Sequence, residues 1–346
     1  MKIIPQSQNP LEWLVLQSGL IPQPLLLAHF GFMMSKIIWE AMECNVLETL
    51  ALKPATAAEV ALTCKLDEKA TTALLGALAG MHLVKFSGKK YAITKASGKW
   101  LLKDSPESYH AMMQFDNQVC YDWMQQTGSF LRTGKGLQYH QQMGPRQWAL
   151  YQNGMTDIAR NISGLAAKKI KLSAGQITLL DIGGAQGIYA RALLNKNPAL
   201  TAVVFDLPEA IATHTHQSSA ANNRLMFQPG NILEDDIGNQ RFDVILMASV
   251  AHHFTASENK LVARKVWAAL KPGGSFYVLE FFRKEAAALS GDMIGALQNF
   301  FFSFSSTSGL WNENEIKSWL QEVGYEKIRT IHFLQLPGFG MVTGRK

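Results

Sequence analysis

Apolar residues recur at helical spacing over residues 25–50, among them Phe30, Met34, Ile37, Ile38, Met42 and Leu47, and the spacing predicts one long helix there. After Pro54 the segment 56–64 reads as a short helix, and Asp67 is placed to cap a second one running to Leu83. Val84-Lys85-Phe86 and Tyr91-Ala92-Ile93 then flank the loop Ser87-Gly88-Lys89-Lys90 as two strands. Helix, helix, hairpin describes a winged helix, and residues 1–105 form the expected front domain. Residues 106–170 are helical again, rich in Met and aromatic side chains, with Gly128, Gly134, Gly136 and Gly144-Pro145 as loop signals. From Ile177 the period changes. Residues 177–182, 202–205, 244–247 and 276–279 are short, near-continuous apolar runs separated by helical stretches such as 189–195, the pattern of a parallel sheet covered on both faces. Segments 325–331 and 340–343 read as a closing antiparallel pair.

Composition narrows this picture. In 346 residues, 47% are apolar and 17% charged, too hydrophobic for disorder. The net charge of +6 is spread along the chain, and the helix opened by Asp67 carries Lys69 and no Arg to meet phosphates. Helix packing is therefore favoured over groove reading, and no nucleic acid partner is expected. Cys44, Cys64 and Cys120 are too scattered for a zinc ribbon or a disulfide framework. The apolar run 24–34 is broken by Ser35-Lys36 short of the roughly 18 residues of a membrane span, and Met1-Lys2-Ile3-Ile4-Pro5-Gln6 lacks the apolar stretch of a leader. A cytoplasmic protein without membrane contact is the expectation.

The chemistry concentrates at Asp181-Ile182-Gly183-Gly184-Ala185-Gln186-Gly187, which follows the first strand of the alternating region. A G-x-G-x-x-G fingerprint fails here in either register, and the Lys of a phosphate-binding loop is absent. An acid opening a tight glycine turn, with a second acid, Asp206, ending the next strand, suits a nucleoside ligand without phosphates. S-adenosylmethionine is such a ligand: Asp206 would accept from the ribose diol, the glycines would admit the methionine part, and Asp181 would lie near the ammonium.

In order along the chain, 179–187, Phe205-Asp206-Leu207-Pro208-Glu209, Arg241-Phe242-Asp243-Val244-Ile245-Leu246 and Leu270-Lys271-Pro272-Gly273-Gly274 resemble the motifs of class I methyltransferases. With the winged-helix front and helical middle, nearly the whole chain resembles the plant-type O-methyltransferase family and its bacterial members in secondary metabolism. The resemblance implies an α/β fold: a Rossmann-like seven-stranded sheet, mostly parallel with the last strand antiparallel, beginning near residue 172. An N-terminal winged-helix domain at 1–105 would make a homodimer, and 106–346 would hold the lid and catalytic domain.

The resemblance also implies cofactor contacts from Asp181, Gly183, Gly184, Gly187, Asp206, Leu207, Gly230, Asn231, Ile232, Met247 and Ala248. Asn231 stands where the family has Asp, and Ala185 where it has the middle glycine. The family's base falls on His252, with His253 as the alternative, and Glu280 matches one of its two orienting acids. The other acid is replaced by Leu310. Phe115, Trp123, Tyr151, Met155, Asn299, Phe300 and Phe302 would line the acceptor pocket, while Asn312 and Glu315 read as a capping box. Iron, held by some relatives beside this loop, is not expected, since Gln298-Asn299 offers neither His nor carboxylate. The expected activity is S-adenosylmethionine-dependent methylation of a hydroxyl on a small aromatic or heteroaromatic metabolite. Transfer to carbon or nitrogen, or a cofactor-driven cyclisation or rearrangement, is the alternative, and a DNA-binding regulator is the rival of another class.

Overall fold

The computed structural model describes residues 5–172, 177–212, 223–285 and 292–346; residues 1–4, read above for a leader, lie outside the described residues. The chain divides into two compact units, residues 3–121 and residues 122–346.

In the front unit the expected 25–50 helix is two helices, Gln23–Glu43 and Val46–Leu52, because Asn45 sits in the left-handed region at φ +57°. Asparagine is one of the few residues that tolerates this turn. Thr56 and Glu59 form a capping box on helix Ala57–Cys64, and the Asp67 side chain accepts from Ala70 N–H at 2.8 Å to start helix Glu68–Gly80. Strands β1 (Val84–Ser87) and β2 (Lys90–Ile93) follow. Their loop has two residues rather than four: Gly88 and Lys89 both take positive φ, and Ser87 pairs with Lys90, as in a type I′ hairpin. Met42, Leu47, Leu50, Val60, Leu75 and Leu78 form the core. Residues beyond 105 join this unit, with Met113 packed on that core and His110 meeting the Trp39 ring at 5.9 Å.

Helix Gln23–Glu43 differs from the expectation drawn from its broken apolar run: by length and composition it is long and apolar enough to cross a membrane. Only Trp39, Ala41 and Met42 of it are buried in the chain, while Leu25, Phe30, Phe32 and Met34 stand exposed.

The rear unit is built on seven strands: β3 (Ile177–Ile182), β4 (Leu200–Asp206), β5 (Leu225–Pro229), β6 (Phe242–Ala248), β7 (Leu270–Phe281), β8 (Glu326–His332) and β9 (Phe339–Arg345). Their order is β5-β4-β3-β6-β7-β9-β8, parallel except for β9, which is antiparallel to both neighbours. The strand missed in sequence is β5, a half-exposed edge strand without a continuous apolar run. Side chains alternate across the sheet. Leu180, Ile182, Ile245 and Met247 pack with helices Ala256–Ala269 and Glu313–Val323. Leu179, Val244, Leu246 and Ala248 pack with helices Pro145–Lys169 and Ile188–Lys196. Gly128, taken as a loop signal, lies inside helix Thr127–Thr133.

At the foot of the sheet Asp243 ties three segments together, its Oδ2 accepting from Thr178 N–H at 2.8 Å, Thr178 Oγ1 at 2.7 Å and Lys271 Nζ at 2.8 Å. The motif Arg241-Phe242-Asp243 is thus explained by sheet assembly. At the other edge, β3 lies between β4 and β6, the point where strand order reverses and ligands bind in open α/β sheets. Leu47→Ala, which empties a fully buried site in the front unit, is expected to cost about 2–5 kcal/mol, read as a lower urea midpoint for the transition of that unit.

Candidate active site

Asp181, two residues before the glycine turn, is fully buried. Its Oδ2 accepts from Ala190 N–H at 3.2 Å, and its Oδ1 has no partner among the described residues. Burial pushes this carboxyl up to about 7, with the charge of Asp206 a smaller cause. The turn then folds tightly: Gly183 N–H donates to Phe205 O at 2.8 Å and Gly187 N–H to Gly184 O at 2.7 Å. Gly183 has φ +67°, and a Cβ on it would collide with Val250; one on Gly184 would come within 2.7 Å of Asp181. Ala185 adopts φ +48°, a left-handed conformation that costs a residue with a Cβ roughly 1 kcal/mol. Its N–H donates to Asp206 Oδ2 at 2.8 Å, while Leu207 N–H donates to Oδ1 at 2.8 Å. Desolvation raises Asp206 to about 6, against those two hydrogen bonds. Gly230 N–H returns to Asp206 O at 2.8 Å, so β4 and β5 end together. Asn231 gives one lone pair of its amide oxygen to Leu233 N–H at 3.0 Å, and Ile232 is buried beside it. Met247 and Ala248 are buried at the end of β6.

Beyond β6 the turn Ala251–His253 carries two imidazoles with different partners. His252, 3% exposed, places Nδ1 3.1 Å from Glu280 Oε2. Glu280, 2% exposed, also accepts Ala251 N–H on Oε1 at 2.8 Å. The Ala251 carbonyl accepts from Trp311 Nε1 at 2.9 Å and from Asn259 Nδ2 at 2.9 Å. His253 meets Ser306 Oγ instead, Nδ1 to Oγ 3.1 Å, and burial holds it well below its usual range, helped by the charges that His252 and His140 carry when protonated.

Aromatic rings surround this pair. Phe302 lies 4.1 Å from the His252 ring, and Tyr139 joins Trp123 at 4.7 Å and His253 at 5.7 Å. The Tyr139 hydroxyl donates to that of Tyr151 at 3.2 Å, and Met155 follows Tyr151 by one helical turn, half-buried. The residue missed in sequence is His140, stacked on Trp148 and 4.6 Å from His253, its imidazole pushed down to about 3 mainly by burial. No motif marks it; its signal is only its place beside Tyr139 in an aromatic-rich stretch. Of the other expected pocket residues, Phe300 packs on Phe130 at 6.0 Å, and Asn299 accepts Leu310 N–H at 3.3 Å. Phe115 is buried within the front unit. Leu310 is buried, and its carbonyl accepts from Arg283 Nε at 3.1 Å. Asn312 and Glu315 form the expected capping box.

The chain matches the profile of the O-methyltransferase domain over residues 111–326 and that of the O-methyltransferase dimerisation domain over residues 27–104. It is similar to acetylserotonin O-methyltransferase of Bos taurus, 26% identical over 270 residues that cover 72% of this chain and 77% of that one. It is also similar to O-demethylpuromycin-O-methyltransferase of Streptomyces alboniger, 24% identical over 318 residues covering 88% and 84%. Among solved structures, human N-acetylserotonin methyltransferase in complex with SAM shares the fold with a TM-score of 0.83, at 19% identity over 99% of both chains.

The Asp181 carboxyl sets a pH dependence. Below its unfolded value of 3.8 it is protonated in both states; as pH rises toward 7 the unfolded chain ionises it freely and the folded chain does not, so stability is lost. Relative to the wild type, Asp181→Asn is therefore expected to gain stability steadily between pH 4 and about 7, measured as the difference in urea midpoints of the ligand-free proteins.

Proposed function

The chain belongs to the O-methyltransferase family, and on that premise we propose that it methylates a hydroxyl of a small aromatic or heteroaromatic metabolite, with His252 as general base. The observation that carries the reading is the buried His252–Glu280 pair, set beside a ring-lined enclosure at the edge of the sheet where the glycine turn lies.

The residues at the turn fit S-adenosylmethionine as methyl donor. Asp181 Oδ1 is a buried acceptor without a donor among the described residues, each oxygen of Asp206 keeps a lone pair after its backbone bond, and Gly184 leaves no room for a side chain. Asp181, Gly183, Gly184 and Gly187 would hold the methionine end, and Asp206 with Leu207 the ribose. Gly230, Asn231, Ile232, Met247 and Ala248 would complete the adenine side, where Asn231 offers its amide hydrogens and one remaining lone pair. When bound, S-adenosylmethionine supplies a sulfonium methyl that needs no further activation.

The chain itself supplies orientation and a place for the proton. Glu280 draws the hydrogen of His252 to Nδ1, so Nε2 presents its lone pair and can take the acceptor's hydroxyl proton; the resulting imidazolium is stabilised by the same carboxylate. The rings of Phe302, Tyr139, Trp123 and Tyr151 suit a flat acceptor and exclude water. The relatives named above act, by their names, on acetylserotonin and on O-demethylpuromycin. With Leu310 apolar, a single carboxylate supports the imidazole, which favours an acidic phenolic hydroxyl over an alcohol. The same observation favours, as a second reading, transfer to nitrogen or an activated carbon, where a weaker base suffices.

We further propose a homodimer formed through the front unit. The exposed Leu25, Phe30, Phe32 and Met34 of helix Gln23–Glu43 are large apolar side chains that a second copy would cover, in a chain whose residues 27–104 match a dimerisation domain. The free thiols Cys44, Cys64 and Cys120 suit a reducing cytoplasm.

His252→Ala is expected to lower kcat by about 100-fold or more while cofactor affinity holds, read with methyl-labelled cofactor, a panel of small phenols and mass spectrometry. Turnover near that of the wild type would remove His252 as base and favour the second reading. In sedimentation velocity the wild type is expected as a dimer and the double variant Phe30→Asp, Phe32→Asp as a monomer.

A further inference from the structure

Gln152 lies in the first half of helix Pro145–Lys169, 3% exposed, and its Oε1 is buried without a hydrogen-bond partner among the described residues. An amide is seldom buried in this way, because the folded chain forfeits its hydration and gains nothing in exchange. Its own backbone is settled: the carbonyl accepts from Thr156 Oγ1 at 2.9 Å and from Gln186 Nε2 at 3.4 Å. The second of these bonds is informative, because Gln186 belongs to the glycine turn and brings that turn against the helix at this residue. The neighbouring Tyr151 feels the charge of Asp206. Farther along, the same helix packs through Ile162 and Ala166 on the helix that the turn opens, with Ala190 and Leu193 across the contact.

Two buried acceptors, carried by different elements, thus lack donors at one turn: Asp181 Oδ1 and Gln152 Oε1. Buried polar atoms without partners occur elsewhere among the described residues, at Asn259 and Thr330 for example, but singly; two at the same turn point to a ligand that brings the donors. The α-amino-acid end of the cofactor carries an ammonium with three N–H donors.

We infer that Gln152 is a further cofactor contact, its carboxamide binding the α-amino-acid end of S-adenosylmethionine opposite Asp181. The inference rests on the cofactor site proposed above. It explains why a polar residue is kept in the buried face of this helix, and it gives the helix a part in the methionine subsite beside its aromatic residues in the acceptor enclosure.

The test compares two ligands that share ribose and adenine. S-adenosylhomocysteine carries the amino-acid end, and 5′-methylthioadenosine lacks it. In titration calorimetry, Gln152→Met, close to glutamine in shape, is expected to weaken S-adenosylhomocysteine about tenfold and to leave methylthioadenosine unchanged. Without ligand, the variant is expected to melt at or above the wild type, since a buried, unpaired amide oxygen has been removed. Unchanged affinity for S-adenosylhomocysteine overturns the inference. So does an equal loss for both ligands, or a lower melting temperature, each of which assigns Gln152 to packing. If the wild type itself fails to bind S-adenosylhomocysteine, the cofactor reading falls first, and that outcome is distinct from the other three.

Discussion

One carboxylate organises the reactive end of this protein. Glu280 uses both oxygens, one on the backbone N–H of Ala251 and one on the ring of His252, so the same buried group shapes the turn and chooses the hydrogen's place on the imidazole. The turn is then held from its other side, where Trp311 and Asn259 both donate to the Ala251 carbonyl. A short turn has little packing of its own. Here the N–H and the C=O of its first residue are both held, by groups from three different segments, and the histidine inherits that rigidity. Glu280 is itself fixed by β7, where it pairs with Gly340 of β9.

The surroundings of His252 divide the labour among three imidazoles. His140 and His253 are enclosed by rings, with no carboxylate bonded to either among the described residues, so burial keeps them neutral, and a proton on any one of the three opposes a second. Among the described residues His252 is the one of the three that bonds a buried carboxylate. In the proposed chemistry this asymmetry directs the acceptor's proton to one ring. Leu310 is buried, and its carbonyl together with Glu315 holds the Arg283 guanidinium.

Much of this was legible in the residues. The strand periods, the turn of Asp181 to Gly187, the cap at Asp67, the capping box at Asn312 and the closing antiparallel pair all follow local rules, and local rules survive folding. Asn45 broke the long helix because a single left-handed residue outweighs an apolar stripe that continues past it. Strand β5 was hidden because an edge strand needs no continuous apolar run. The site was harder. Choosing His252 over its neighbour depends on Glu280, which stands 28 residues away in sequence, and spacing cannot say which of two adjacent rings it meets. His140 and Gln152 were invisible for the same reason: what marks them is an environment assembled from distant segments.

The place of β9 bears on how such a chain is made. It follows every other strand in sequence yet lies inside the sheet, between β7 and β8. During synthesis from the N-terminus, β3, β4, β5, β6 and β7 can pair in turn, but β7 keeps one open edge, through Phe276, Tyr277, Val278 and Leu279, until residues 339–345 emerge from the ribosome. An unpaired apolar edge on a nascent chain invites pairing with other chains. The strand that completes Glu280's support is thus also the one whose late arrival leaves the growing polypeptide most in need of a chaperone.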